Sequence, residues 1–224
     1  MQIDAGLELG PSSLTEALFE SVRKRIVNGD IAQGERVTEV RLATEYNVAR
    51  PTAKACVERL TALGLLRRTA HKTAVVPTLD EAEIRDLFFS RITIERAAVS
   101  ALALAGAVPA AATKAQIAIE FAARDRQFAN QVEADIAFHS ALVTGVGSRR
   151  LARMHELIIG EVQLTMGHYQ AHRTADPTTV AQEHAAILDA IKDGDPDRAG
   201  EHLNYHLEQA QGRLLTSLAK AVVT

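Results

Sequence analysis

Four residues in the second half of the sequence combine types and spacings that suit a cation: Asp135, His139, His184 and His206. Asp135 and His139 stand one helical turn apart on a stripe with Phe128, Val132, Leu142 and Val143, so their side chains project side by side from one helix. His184 falls among Val180, Ile187, Leu188 and Ile191, and His206 among Leu203, Leu207 and Ala210, each on the apolar side of its own segment. Three imidazoles and one carboxylate aimed inward from three helices make a donor set for a divalent cation, with positions left for water or ligand. Each histidine alone reads more readily as a satisfied core or interface group than as a ligand. Asp135 weighs the other way, because an unpaired inward carboxylate is costly and a cation is one efficient way to offset it.

Arg91 is a second misplaced charge. It shares the inward stripe Ile84, Leu87, Phe88, Ile94, Ala98 and Leu102, and Glu95 follows on the same side one turn later. Either the two simply pair, or Arg91 meets the carboxylate of a small organic acid, a task its planar fork suits.

Helices must position these groups. From Asp80 onward no strand alternation is found, and six helices fit, over about 80–105, 109–129, 131–145, 149–168, 179–193 and 196–221. Their breaks coincide with Gly106 and Pro109, Gly145 and Gly147, Asp176-Pro177, and Gly194-Asp195-Pro196. Asp80 with Glu83, and Thr179 with Gln182, have capping-box spacing, and Pro196 suits a first helical turn.

The first third of the chain is built differently. Residues 1–12 read as a flexible tail, and a helix starts at Ser13, which forms a capping box with Glu16, with Leu14, Leu18, Val22 and Ile26 as its inward stripe. A short helix over about Glu39–Glu45 follows, with Thr38 as its cap, and Asn47 occupies the turn, where positive φ is wanted. The next helix, Arg50 to Leu63, turns Ala53, Cys56, Val57 and Leu60 inward and presents Arg50, Pro51 and Lys54 near its start. Leu65, Leu66 and Arg67, then Ala74 and Val75, suit a two-stranded hairpin with its tip at Ala70 to Thr73. Between Arg50 and Lys72 lie six basic residues and one acid, a local cationic surface of the kind a duplex requires. Two packed helices with solvated charges are common; the basic hairpin tips the balance toward a helix-turn-helix that reads a major groove. The candidate DNA contacts are Thr38 and Arg41 on the first of these helices, Arg50, Pro51, Thr52, Lys54 and Arg59 on the second, and His71 and Lys72 at the hairpin tip.

This stretch resembles the winged helix-turn-helix of the GntR family of bacterial transcription regulators, whose recognition segment commonly reads VSRTPVREALxRLxxxGL. The chain carries Val48, Arg50, Arg59 and Leu60, then Gly64 and Leu65, and upstream Gly29, Ile31, Gly34, Glu39 and Leu42 match the family's lead-in. Ala49 stands where Ser or Thr is usual, Thr-Pro is inverted to Pro51-Thr52, Lys54 replaces Arg and Thr73 stands at the wing glycine, so the base preference cannot be borrowed. The C-terminal part is similar to the FCD ligand-binding domain. Its D-x-x-x-H matches Asp135 and His139, its later histidines match His184 and His206, and its R-x-x-(L/I)-E matches Arg91, Ile94 and Glu95. His202, one turn before His206, is the rival for the last ligand position, Gly147-Ser148 departs from the frequent Gly-Asn, and His155, His168 and His172 match no family position, which makes them surface or supporting groups.

The resemblance implies a mostly α protein: an N-terminal winged helix-turn-helix over 13–78 with a small β-hairpin wing, and a C-terminal all-α helical bundle, FCD-like, over 79–224 for effector binding and dimerisation. It implies a homodimeric DNA-binding repressor that holds a divalent metal ion (zinc the leading candidate; nickel, manganese or iron the others) and answers to a small organic acid effector through Arg91 and Glu95. A metal-dependent hydrolase or lyase acting on a small carboxylate is the alternative, since the same donors could activate water, but no HExxH, nucleophile elbow or separate general base is found.

Composition sets outer bounds. The 224 residues are 47% hydrophobic, enough for one small and one medium core. Residues 1–78 hold 11 basic and 9 acidic side chains, and the remaining 14 and 19 fall in 79–224, so only the N-terminal part has a positive excess. No apolar run approaches the roughly 20 residues that span a bilayer, and no signal pattern opens the chain, so a cytoplasmic protein without a membrane partner is expected. The single cysteine, Cys56, excludes a disulfide framework and a thiolate metal site.

Overall fold

In a computed structural model, residues 14–68, 73–125, 128–168 and 176–222 are described, and the chain divides into two compact units that meet between Pro77 and Thr78. The expected tail over 1–12 and the cap at Ser13 lie outside the described residues.

The first unit runs α1 (Leu14–Val27), β1 (Arg36–Val37), α2 (Glu39–Glu45), α3 (Arg50–Ala62), β2 (Arg67–Arg68) and β3 (Ala74–Val75). Leu18, Val22 and Ile26 are buried as the periodicity requires; Leu14 is 63% exposed, and Phe19 takes part in the core instead. Thr38 caps α2 by accepting from the Arg41 amide, and Asn47 adopts φ 50° in the turn before α3. The wing has one strand more than expected: β3 lies between β1 and β2, with Arg36 and Arg67 both opposite Val75 and Val37 and Arg68 both opposite Ala74. Leu65 and Leu66 are not paired strand residues, because their amides both donate to the Leu60 carbonyl and close the end of α3 over Gly64, whose φ is 74°. Both side chains are buried there beneath the wing.

α3 begins without a side-chain cap, since Ala49 offers none although its backbone is extended (φ −64°, ψ 144°). Ala49→Ser, which fits that conformation, is expected to stabilise the protein by about 0.5–2 kcal/mol, read as a higher urea midpoint at unchanged slope. On the inward face of the same helix Cys56 has no exposed surface. Burial pushes its thiol up to about 11, against a weaker opposing pull from Arg59. Thiol reagents at pH 8 are therefore expected to leave the native protein unmodified and to label Cys56 once it is unfolded in urea.

The second unit is all helical among the described residues: α4 (Glu81–Leu104), α5 (Ala110–Arg124), α6 (Phe128–Gly145), α7 (Arg149–His168), α8 (Pro177–Lys192) and α9 (Pro196–Val222). α4 packs against α6, α7, α8 and α9, so its inward face becomes the axis of the bundle. The Asp80–Glu83 capping box forms in both directions. Two expectations shift. α5 ends at Arg124 and α6 starts at Phe128, a break the sequence hides because no Gly or Pro marks it. α8 starts earlier than the Thr179–Gln182 pair suggests, because Asp176 accepts from the Thr178 amide and Pro177 opens the first turn. Gly145 is fixed by close approach: a Cβ there would lie 2.4 Å from the Pro109 ring, so the α6 terminus is clamped on the α4–α5 connection.

Candidate metal centre and nucleic-acid interface

Three helices of the second unit bring a cluster of polar groups into an otherwise apolar bundle. Asp135 and His139 come from α6, His184 from α8 and His206 from α9, all at 2% exposure or less. One ligand atom from each lies within 4.8 Å of every other. The three Nε2 atoms form a tight triangle: 3.2 Å between His139 and His206, 3.3 Å between His184 and His139, and 3.1 Å between His184 and His206. Asp135 completes the set, with Oδ1 at 3.3 Å from His184 Nε2 and Oδ2 at 3.9 Å from His139 Nε2.

The other ring nitrogens decide what the triangle presents. His139 Nδ1 lies 2.6 Å from Glu95 Oε2, and His206 Nδ1 lies 2.8 Å from Glu183 Oε2. Each Nδ1–H donates to its carboxylate, which leaves the Nε2 lone pair pointing into the cluster. Burial works against a charged Glu95, but Arg91 and His139, with His155, outweigh it and hold the carboxyl well below the usual range. Burial, followed by the neighbouring His184 and His139, keeps His206 well below the ordinary imidazole value, so it is neutral near pH 7. Lone pairs converging at such distances repel one another unless a cation lies between them. With bonds of about 2.1 Å, neighbouring donors of a bound metal stand about 3.0 Å apart in an octahedral set and about 3.4 Å in a tetrahedral one. The three Nε2 separations and the Asp135 Oδ1–His184 Nε2 distance fall in that interval, and the chemistry of the donors fits a divalent cation.

Beside the cluster is Arg91, 2% exposed. Its Nε donates to Glu95 Oε1 at 2.8 Å, while Nη2 has no hydrogen-bond partner and lies 4.0 Å from Asp135 Oδ2. The Nε edge of the guanidinium is thus paired, and Nη2 is not hydrogen-bonded among the described residues. Glu95, expected as an effector contact, faces groups of the chain itself. Its oxygens are taken by Arg91 Nε, His139 Nδ1 and His155 Nε2 (3.2 Å), so it positions the site from behind. His155 is accordingly a buried supporting group. His202 is half-buried and takes no part in the cluster, His206 occupying that place; His172 and the side chain of His168 lie outside the described residues.

In the first unit the expected DNA contacts separate into two groups. Arg50, Pro51 and Lys54 are exposed along the first turns of α3, with Thr52 half-buried beside them. Lys54 makes only a long 3.8 Å approach to Glu58, both more than half exposed. Two other guanidiniums are engaged inside the unit. Arg41 donates to Glu35 Oε1 at 2.6 Å and to the Arg36 carbonyl at 3.0 Å, and Arg59 pairs with Glu16 while lying 3.8 Å over the Phe19 ring. Arg59 therefore ties α3 to α1, a part its sequence position did not reveal. His71 and Lys72 lie outside the described residues; Arg36, Arg67 and Arg68 are exposed on the wing strands.

Two family descriptions match this chain: "Bacterial regulatory proteins, gntR family" over residues 14–76 and "FCD domain" over residues 86–209. The chain belongs to the GntR family, FCD subfamily. Among curated relatives, the HTH-type transcriptional regulator BphR of Paraburkholderia xenovorans (strain LB400) is 27% identical over 210 residues, covering 88% of this chain and 84% of that one. A GntR transcriptional regulator from Rhodococcus sp. RHA1 superposes with a TM-score of 0.76 at 24% identity, over 92% of this chain and 99% of the other. McbR/YncC of E. coli gives 0.74 at 17%, again over 92% and 99%. At these identities the structural likeness establishes the fold alone. Family membership makes the chain a helix-turn-helix transcriptional regulator and not an enzyme, which sets aside the hydrolase or lyase alternative. Among the described residues no helix of this GntR-family regulator is long and apolar enough to cross a membrane.

Two groups of the regulator's second unit were not singled out from sequence. Glu183 reads as one more acid beside His184, yet its carboxylate reaches α9 to hold His206. Burial and the Asp135 charge push Glu183 up, with Arg213 pulling the other way. Arg213 follows His206 by two helical turns, a spacing that could have flagged it.

Proposed function

We propose that this GntR-family regulator is a cytoplasmic homodimeric repressor whose FCD domain holds a divalent cation and whose grip on an operator duplex changes when a small organic acid binds beside it. The convergence of Asp135, His139, His184 and His206, next to the unsatisfied edge of Arg91, supports this most strongly. The cation, zinc first and nickel, manganese or iron otherwise, supplies a Lewis-acidic point for a carboxylate oxygen. The protein's own groups do the rest. Glu95 and Glu183 orient two of the imidazoles, Arg91 offers a charged donor to the same acid, and Phe138, packed 4.4 Å from the His184 ring centroid, keeps water from that side. The acid alters DNA binding only through a preference for one dimer arrangement over another.

On the DNA side, paired α3 helices read two half-sites of a palindrome, with Arg50, Pro51, Thr52 and Lys54 at the groove and the wing arginines against phosphates. A duplex selected by the protein from a random pool, and a scrambled version of it, test this by fluorescence anisotropy across a salt series. Wild-type affinity for the selected duplex should fall steeply with salt, and Arg50→Ala should weaken it by about 1–3 kcal/mol while hardly changing the scrambled duplex. Equal wild-type affinity for both duplexes at moderate salt would contradict the proposal.

A further inference from the structure

A cleft beside the metal cluster is walled by α4, α6, α7 and α9, and it holds two arginines, not one. Arg91 and Asp135 line it from α4 and α6, and His206, Ala210 and Arg213 from α9. Arg213 Nη2, like Arg91 Nη2, is buried without a hydrogen-bond partner. Burying a charged donor unsatisfied is costly, and two such donors in one cleft mark places for anionic acceptors. Along α9, His206, Ala210 and Arg213 all line the cleft, and helical side chains lean toward the N-terminus, which brings the Arg213 charge within reach of His206. Phe88, Met166 and Leu214 supply apolar wall.

The cleft wall itself carries two guanidiniums and one carboxylate, Asp135, which faces the histidine triangle. Glu95 pairs with Arg91 through Nε, and Glu183, which holds His206 Nδ1, feels the Arg213 charge, yet neither carboxylate hydrogen-bonds an Nη2 atom. A divalent cation in the cluster would add positive charge, and a ligand with a single carboxylate would leave one of the two Nη2 donors without an acceptor. We propose that the acid is a small dianion: one carboxylate addresses Arg91 and the cation, a second oxyanion addresses Arg213, and a short apolar spacer lies over Ala210. This rests on the effector-binding function proposed above and narrows it to a ligand class. The inner void of the cleft, ≈ 20 Å³, holds about one water, so such an acid must part the α9 wall from Thr165 and Met166 of α7 as it enters. That displacement is the differential contact the regulator needs.

Butyrate and succinate differ only by a terminal methyl against a carboxylate, and their affinities for the zinc-loaded full-length protein are measurable by calorimetry. Succinate should bind roughly 10- to 100-fold more tightly than butyrate. Arg213→Gln should bring succinate close to butyrate while leaving butyrate affinity and zinc content unchanged, and Arg213→Lys should retain part of the preference. Equal wild-type binding of the two acids, or an Arg213→Gln protein that keeps the wild-type ratio, overturns the dianion assignment but not the effector site. Failure of both acids to bind at millimolar concentration overturns the two proposals together.

Discussion

Glu95→Gln is expected to lower the stability of the chelator-stripped protein by about 3–5 kcal/mol, the usual consequence of leaving a buried charge without its partner. Glu95 has no exposed surface and receives three donors from three helices: Arg91 on α4, His139 on α6 and His155 on α7. An amide oxygen still accepts a hydrogen bond, but it cannot neutralise the Arg91 guanidinium, which is 2% exposed and reaches Asp135 only at 4.0 Å. Urea denaturation followed by far-ultraviolet circular dichroism reads the loss as a lower midpoint at constant slope. A shift below about 1 kcal/mol would mean that Arg91 finds compensation elsewhere and that Glu95 is not the centre of the network.

The second large effect concerns the cation. His184→Ala removes one corner of the Nε2 triangle and should weaken zinc binding by more than about 100-fold, beyond the 10- to 100-fold that supporting partners alone contribute. Zinc at a hundred times its wild-type dissociation constant should stabilise the wild-type protein by about 2.7 kcal/mol and leave His184→Ala nearly unchanged. Thermal melts of both proteins, with and without zinc, check this. Equal zinc-induced shifts in the two would show that the ion binds elsewhere.

Much of the bundle was legible because helical periodicity records which face each residue occupies. Asp135, His139, His184 and His206 interrupt apolar stripes, and a polar residue on such a stripe has nowhere to go but inward. The Arg91 stripe worked in the same way. What escaped lies where local pattern carries no signal. Arg59 is bound to Glu16, 43 residues away, and nothing near either residue encodes that contact. β1 is two residues long, too short for alternation to register, so the third strand of the wing was invisible. Arg213 sits on a half-buried flank of α9 and looks like a solvated charge until its neighbours are known. For Glu95, spacing fixed the inward face but could not say that Arg91, His139 and His155 would claim its oxygens.

Anomalous diffraction at the zinc absorption edge, from crystals of the zinc-loaded protein, tests the account most directly. It predicts one strong peak within about 2.0–2.2 Å of Nε2 of His139, His184 and His206 and of a carboxylate oxygen of Asp135. An empty triangle, with zinc at His202 or at some other surface group, would contradict it.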